Sequence, residues 1–103
     1  MDVGKPKIMS KLSNIHPGEI LVEEFLKPMS FTAYRLSQAI VVSQTRTSQI
    51  LKSKRRITAD TALMLSKFFG PSTKFWLGTQ NEFDIEAECN NIKKKLELIQ
   101  TWN

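Results

Sequence analysis

Between Thr32 and Arg56 lies a stretch of side chains suited to hydrogen bonding and to carrying positive charge. The run Ser43-Gln44-Thr45-Arg46-Thr47-Ser48-Gln49 contains one arginine, uncharged polar residues and no acid. Glutamine can bond adenine bidentately, arginine can bond guanine, and a threonine methyl can meet the methyl of thymine. A helix opening with such a run is an unusual plain surface and a suitable reader of base edges. On a helix, positions 44, 45, 48 and 49 fall largely on one side, while Thr47 turns inward with Ile50 and Leu51. Lys52, Lys54, Arg55 and Arg56 follow at once, placed to grip phosphates and set register.

Charge is unevenly spread around this stretch. From Lys27 to Lys74 there are nine Lys or Arg and a single acid, Asp60, whereas Glu82, Asp84, Glu86 and Glu88 have no base among them. The chain of 103 residues carries a formal charge of +5. A basic middle points toward a polyanion, most often nucleic acid. The acidic run reads as helix surface or as a neighbour to the basic part.

Composition bounds the remaining function classes. At 41% hydrophobic and 24% charged, the chain is one globular domain with a single core rather than a disordered segment. Cys89 is the only cysteine and His16 the only histidine. An internal disulfide and a cysteine-rich zinc site are excluded, a Ser-His-Asp triad has little material, and a reducing compartment is the simpler reading. No apolar run approaches the roughly 20 residues of a spanning helix, and Met1 to Lys11 carries no apolar signal-peptide core. The expectation is a cytoplasmic protein with no membrane partner, no metal and no cofactor. A metal-dependent nuclease would have to use Asp60, Glu82, Asp84, Glu86 and Glu88. The alternate spacing gathers them only on a strand, the local pattern is helix or loop, and no nucleophile stands out.

The elements that must position the polar run are all helical. Residues 1–13 read as a mobile tail. A first helix opens at His16-Pro17-Gly18-Glu19, with Pro17 at the first helical position and His16 as a capping or surface residue rather than a metal ligand. Ile20, Leu21, Phe25 and Leu26 form its apolar face, and Pro28 limits it. Thr32 caps a second helix with Ala33, Leu36 and Ile40 inward, Ser43 caps a third, and Thr58 caps a fourth bearing Ala62, Leu65, Phe68 and Phe69. Gly70-Pro71 stops the fourth helix, and Ser72 caps a fifth that carries Phe75, Trp76 and Leu77. From Ile85 the apolar positions run Ile85, Cys89, Ile92, Leu96 and Ile99, a narrow heptad-like seam. The seam either packs on its own core or serves a second chain. Cys89 is expected to be a small buried hydrophobe, and Trp102 to pack or lie at an interface. The fold class is all-α, about five helices. Residues 14–80 form the main domain, and 81–103 form a helical extension suited to dimer contacts.

Thr32 to Arg56 resembles the helix-turn-helix of the lambdoid phage repressor and Cro class. The resemblance implies a lambda-repressor-like five-helix domain whose second helix crosses the DNA backbone and whose third enters the major groove. It assigns Gln44, Thr45 and Gln49 to base edges, and Thr32, Arg46, Lys52, Lys54 and Arg55 mostly to phosphates. Two positions depart from the pattern. Val41 stands where glycine is usual, although valine avoids positive φ. Thr47 stands where a buried aliphatic is usual, although a buried hydroxyl wants a partner.

The resemblance narrows further. His16-Pro17-Gly18-Glu19-Ile20-Leu21, Glu23-Glu24-Phe25-Leu26, Arg56-Ile57-Thr58-Ala59-Asp60-Thr61-Ala62-Leu63, Phe69-Gly70, Phe75-Trp76-Leu77 and Gln80 are similar to the HigA/VapI branch of helix-turn-helix proteins over about residues 15–88. That branch implies an antitoxin. It neutralises a small RelE-like ribonuclease toxin and, as a homodimer on a pseudo-palindromic operator in double-stranded DNA, represses the operon that encodes both. A stand-alone phage-type or chromosomal repressor would share the DNA chemistry without a toxin. A pure protein-interaction module would leave the basic surface incidental and bind no DNA near physiological salt.

Overall fold

The computed structural model describes residues 14–102, and every regular element among them is helical. The expected tail, 1–13, lies outside the described residues. The first helix, α1, covers residues 17–29 as three contiguous stretches. Pro17–Ile20 and Lys27–Met29 are wound as α-helix, and Leu21–Leu26 between them takes the wider π winding. His16 caps it as expected, Nδ1 accepting from the Gly18 N–H at 2.9 Å. Pro28 does not limit the helix in the way anticipated. It sits inside the last turn, after a segment in which the Lys27 N–H already reaches five residues back to the Val22 carbonyl. The wider winding accommodates the proline ring, and the helix ends at Ser30, in the left-handed region at φ 56°.

Helix α2 spans Ala33–Ile40, α3 Gln44–Leu51, α4 Ala59–Phe69, α5 Thr73–Asn91 and α6 Lys93–Glu97. Thr32, Ser43 and Ser72 cap α2, α3 and α5, each hydroxyl accepting from the N–H three residues on. Gly70 closes α4 at φ 108°, where a side chain would be strained. Thr58 occupies the N-cap position of α4, but its hydroxyl serves Asp60 and Arg46 instead of a backbone N–H.

The core joins α1 through α5. Leu21, Leu26, Leu36, Ile40, Ile50, Ile57, Ala62, Leu65 and Trp76 are each buried to 5% exposure or less. Ala33 and Phe68, expected inward, lie outward, and so does Phe75 from the apolar patch of the fifth helix. Phe68 and Phe75 are rim residues, packed on Phe31 and Phe69 and on Trp76, because their helices present wider apolar faces than the core can cover. Gly18 is fixed by a close approach: a Cβ there would stand 1.9 Å from the Ile50 carbonyl oxygen. Only glycine lets the start of α1 press against the end of α3.

A polar network locks the loop after α3 to α5. The Ile57 N–H donates to Gln80 Oε1 at 2.7 Å, and Gln80 Nε2 donates to Asp84 Oδ1 at 3.0 Å. Arg56 donates to Asp84 Oδ2 through Nε and Nη2. The His16 ring packs edge-on against Phe83 at 4.9 Å. Residues of three separated motifs, around His16, Arg56 and Gln80, thus meet in one place.

Beyond Asp84 the chain leaves the core. Cys89 is exposed, which overturns its expected burial. Most of the seam is unpacked among the described residues: Ile85, Leu96 and Ile99 are exposed, and Trp102 is 93% exposed. Nor does one helix carry the whole seam. Ile92, half-buried, breaks the helix at φ −113°, and Ile99 lies past the end of α6.

Burial pushes the His16 imidazole below its ordinary pKa of about 6.5, opposed by the Asp84 charge and by a hydrogen bond with the Arg55 backbone. The unfolded chain therefore takes up a proton at higher pH than the folded one. This contribution to stability is complete above about pH 6.5 and drains as pH falls below it. The melting temperature is expected to drop between about pH 7 and about pH 5. His16→Asn keeps an acceptor at the cap and should flatten that dependence in calorimetry. An equally steep dependence in the variant would exclude His16 as its source.

Candidate nucleic-acid interface

Helices α2 and α3 meet at the turn Val41-Val42-Ser43 and form a helix-turn-helix. Ser43 Oγ accepts from the Arg46 N–H at 3.1 Å and fixes the start of α3. At the other end, the Ser53 N–H bonds the Ile50 carbonyl and the Lys54 N–H bonds the Gln49 carbonyl. This is a Schellman closure in which Ser53, at φ 62°, takes the left-handed position usual for glycine. It delivers Lys52, Lys54 and Arg55, all exposed, directly beyond α3.

The inner face of α3 carries Ile50 and Thr47, both buried. On the outer face Gln44 and Thr45 are exposed, and Ser48 and Gln49 are half-buried. The hydrogen-bonding run therefore stands outward on a helix whose opposite side is anchored. Gln44 also borders an open groove of ≈ 510 Å³ shared with Tyr34, Ser37, Gln38 and the turn. Thr32 is exposed at the start of α2, its oxygen accepting from the Arg35 N–H at 3.0 Å. The Arg35 guanidinium lies over the Phe31 ring at 4.6 Å.

Arg46 has a role the sequence did not reveal. Its Nη2 donates to both Asp60 carboxylate oxygens, at 2.8 and 2.9 Å, and to the hydroxyls of Thr58 and Thr61. The guanidinium ties α3 to the first turn of α4. Hydrogen bonds from Thr58, then Arg46, then the Thr61 N–H hold the Asp60 carboxyl at about 2. One signal was available: Asp60 is the lone acid in the basic segment and needed a partner.

Both departures from the usual motif are physically real. Val41 adopts φ 56°, ψ 50°, a left-handed conformation that valine disfavours, and is 80% exposed. Thr47 is 2% exposed and its hydroxyl has no partner among the described residues. It borders a gap of ≈ 10 Å³ walled by Leu21, Leu36, Ile40, Ile50 and Leu65 among others.

The helix order, the buried inner face of α3 and its polar outer face define a helix-turn-helix protein. No family model matches the chain. It is 44% identical over 94 residues to virulence-associated protein I of Dichelobacter nodosus, covering 91% of this chain and 86% of that protein. A solved HigA-family addiction module antidote protein from Coxiella burnetii superposes with a TM-score of 0.83 at 40% identity, over 89% of this chain and all of that one. The antitoxin HigA of Pseudomonas aeruginosa, solved with the higBA promoter, superposes with a TM-score of 0.83 at 32% identity, over 86% of this chain and 97% of that one. The chain belongs to the HigA/VapI family of helix-turn-helix antitoxins.

The orphan hydroxyl of Thr47 gives a direct stability test. Thr47→Val keeps the shape and removes the unpaired buried group, and should stabilise the fold by about 1 kcal/mol. The measurement is a shift of the urea midpoint at constant slope. A midpoint that stays or falls would show that the hydroxyl is satisfied in solution.

Proposed function

We propose that this chain is a sequence-specific DNA-binding antitoxin. In this reading it binds and neutralises a small RelE-like ribonuclease toxin and represses the shared operon as a homodimer. The observation that carries the DNA half is the outward polar face of α3, held by buried Ile50 on one side and by the Arg46–Asp60 pair on another. Gln44, Thr45 and Gln49 read base edges in the major groove. Thr32, Lys52, Lys54 and Arg55 meet phosphates on either side, and Arg46, while holding α4, turns its remaining donors to the backbone. The toxin half rests on the family and on relatives that are themselves described as antitoxins.

The dimer reading rests on the C-terminal extension, 81–103. Ile85, Cys89, Leu96 and Ile99 are exposed and Ile92 half-buried, so most of the seam is uncovered among the described residues. A second copy supplies that cover and sets two copies of α3 into successive major grooves about 34 Å apart.

Four experiments test these assignments. Gln44→Ala and Gln49→Ala should each narrow the preference for operator over random duplex by about 1–3 kcal/mol, read by fluorescence anisotropy. Lys54→Ala and Arg55→Ala should weaken binding to both duplexes and flatten the salt slope by about one. Wild-type operator preference in the glutamine variants would remove the base-reading assignment. Ile92→Glu and Leu96→Glu should yield monomers in sedimentation, and a variant that stays dimeric places the interface elsewhere. Co-expression with the adjacent reading frame decides the toxin: growth arrest relieved by this chain in a stable complex supports it. A harmless neighbour that does not co-purify leaves a stand-alone repressor.

A further inference from the structure

Within the C-terminal extension the charges are sorted by position. Glu86 and Glu88 lie on α5, Lys93 and Lys95 on α6, and all four are exposed. None of them enters an ion pair among the described residues. The helical phase carries through the break at Ile92. Its N–H bonds the Glu88 carbonyl and its carbonyl accepts from the Leu96 N–H, each at 2.9 Å. Ile85, Cys89, Ile92 and Leu96, spaced by four, three and four, therefore stay on one line. Glu86 and Lys93 flank that line on one side, Glu88 and Lys95 on the other.

Two copies can meet along this line in two directions. With the two-fold axis parallel to the helices, each seam residue faces its own counterpart. The flanks then bring together only Glu88 and Lys93 of the second copy, and Glu86 and Lys95 are left over. With the axis crossing the helices between Asn90 and Asn91, Ile85 meets Leu96 of the second copy and Cys89 meets its Ile92. That rotation keeps each flank on its own side. Glu86 then meets Lys93 of the second copy, and Glu88 meets its Lys95. One register matches apolar to apolar and acid to base, and the symmetry repeats every contact.

We infer that the extension pairs antiparallel with the same segment of a second copy, in the register that sets Glu86 against Lys93 and Glu88 against Lys95. The inference rests on the dimer reading and adds direction and register to it. The apolar seam supplies the attraction. Exposed ion pairs add little stability each, but flanking charges along a helix seam set partner choice and orientation. The order of acids and lysines thus also rejects a similar helix that lacks it.

The test is the dimer dissociation constant of the full chain, read by sedimentation equilibrium at about 50 mM salt, where surface charges are weakly screened. Glu86→Lys places two like-charged pairs in the antiparallel dimer and should weaken it about tenfold. Adding Lys93→Glu to the same chain restores opposite charges on that flank and should bring the constant back close to wild type. Glu88→Lys with Lys95→Glu repeats the test on the other flank. All four positions are exposed, and unchanged helical circular dichroism shows that each variant is folded. In a parallel dimer the pattern inverts. Glu86→Lys alone changes little, and Lys93→Glu removes the charge that Glu88 uses, so the double variant dimerises worse than the single one. That inverted pattern, or a double variant no better than Glu86→Lys, overturns the inference while the dimer reading stands. A wild-type chain that stays monomeric overturns the reading and the inference with it.

Discussion

A helix of eight residues does not hold its shape alone in water, and α3, Gln44–Leu51, is that short. Everything that makes it usable as a rigid probe comes from its surroundings. Ile50 anchors its inner face in the core, and the start of α1 presses on its last turn where Gly18 has no side chain to obstruct. Arg46 bolts it to α4 through Asp60. Its two ends are closed by Ser43 and by the Ser53–Lys54 turn. With the inner side fixed from several directions, the outer side can be entirely polar at no cost to folding.

The charges divide in a related way. Asp60 takes Arg46 and Asp84 takes Arg56, so the acids that sit nearest the basic segment bind it to the scaffold. Lys52, Lys54 and Arg55 stand exposed just past α3. The same acid that holds Arg56 also accepts from Gln80, which in turn takes the Ile57 N–H. The basic loop is therefore held at Arg56 and Ile57 while its neighbours face solvent. Exposed pairs such as Arg46–Asp60 add little stability each. Their value here is geometric, in fixing which way α3 faces.

Local signals in the sequence were legible where the structure obeys local rules. The caps at His16, Thr32, Ser43 and Ser72, the stop at Gly70, and the inward stripe of Leu36 and Ile40 follow from side chains within one turn of each other. What was not legible depends on partners far along the chain. The Arg46–Asp60 pair spans 14 residues and the Gln80–Ile57 bond spans 23. The outward placement of Phe68 and Phe75 depends on how much surface neighbouring helices can cover. The run from Ile85 has helical spacing, but spacing does not say where the core ends. On α5 it ends near Gln80 and Asp84, which is why Cys89 is exposed. The outer face of α3 was legible because its composition is unusual.

Two places in the helix-turn-helix break the local rules without a compensating contact among the described residues. Val41 holds a left-handed turn that glycine would hold more easily, and Thr47 buries a hydroxyl with no partner. Each of these costs on the order of 1 kcal/mol, which is appreciable against the 5–15 kcal/mol or so of an ordinary domain. Part of the local cost thus falls on the turn and helix of the motif itself, and another orphan, the indole N–H of buried Trp76, lies in the core on α5. A ligand that binds only the folded arrangement adds stability in proportion to the logarithm of its concentration over its Kd. Binding at the outer face of α3 therefore offsets local costs such as these through the stability of the fold as a whole.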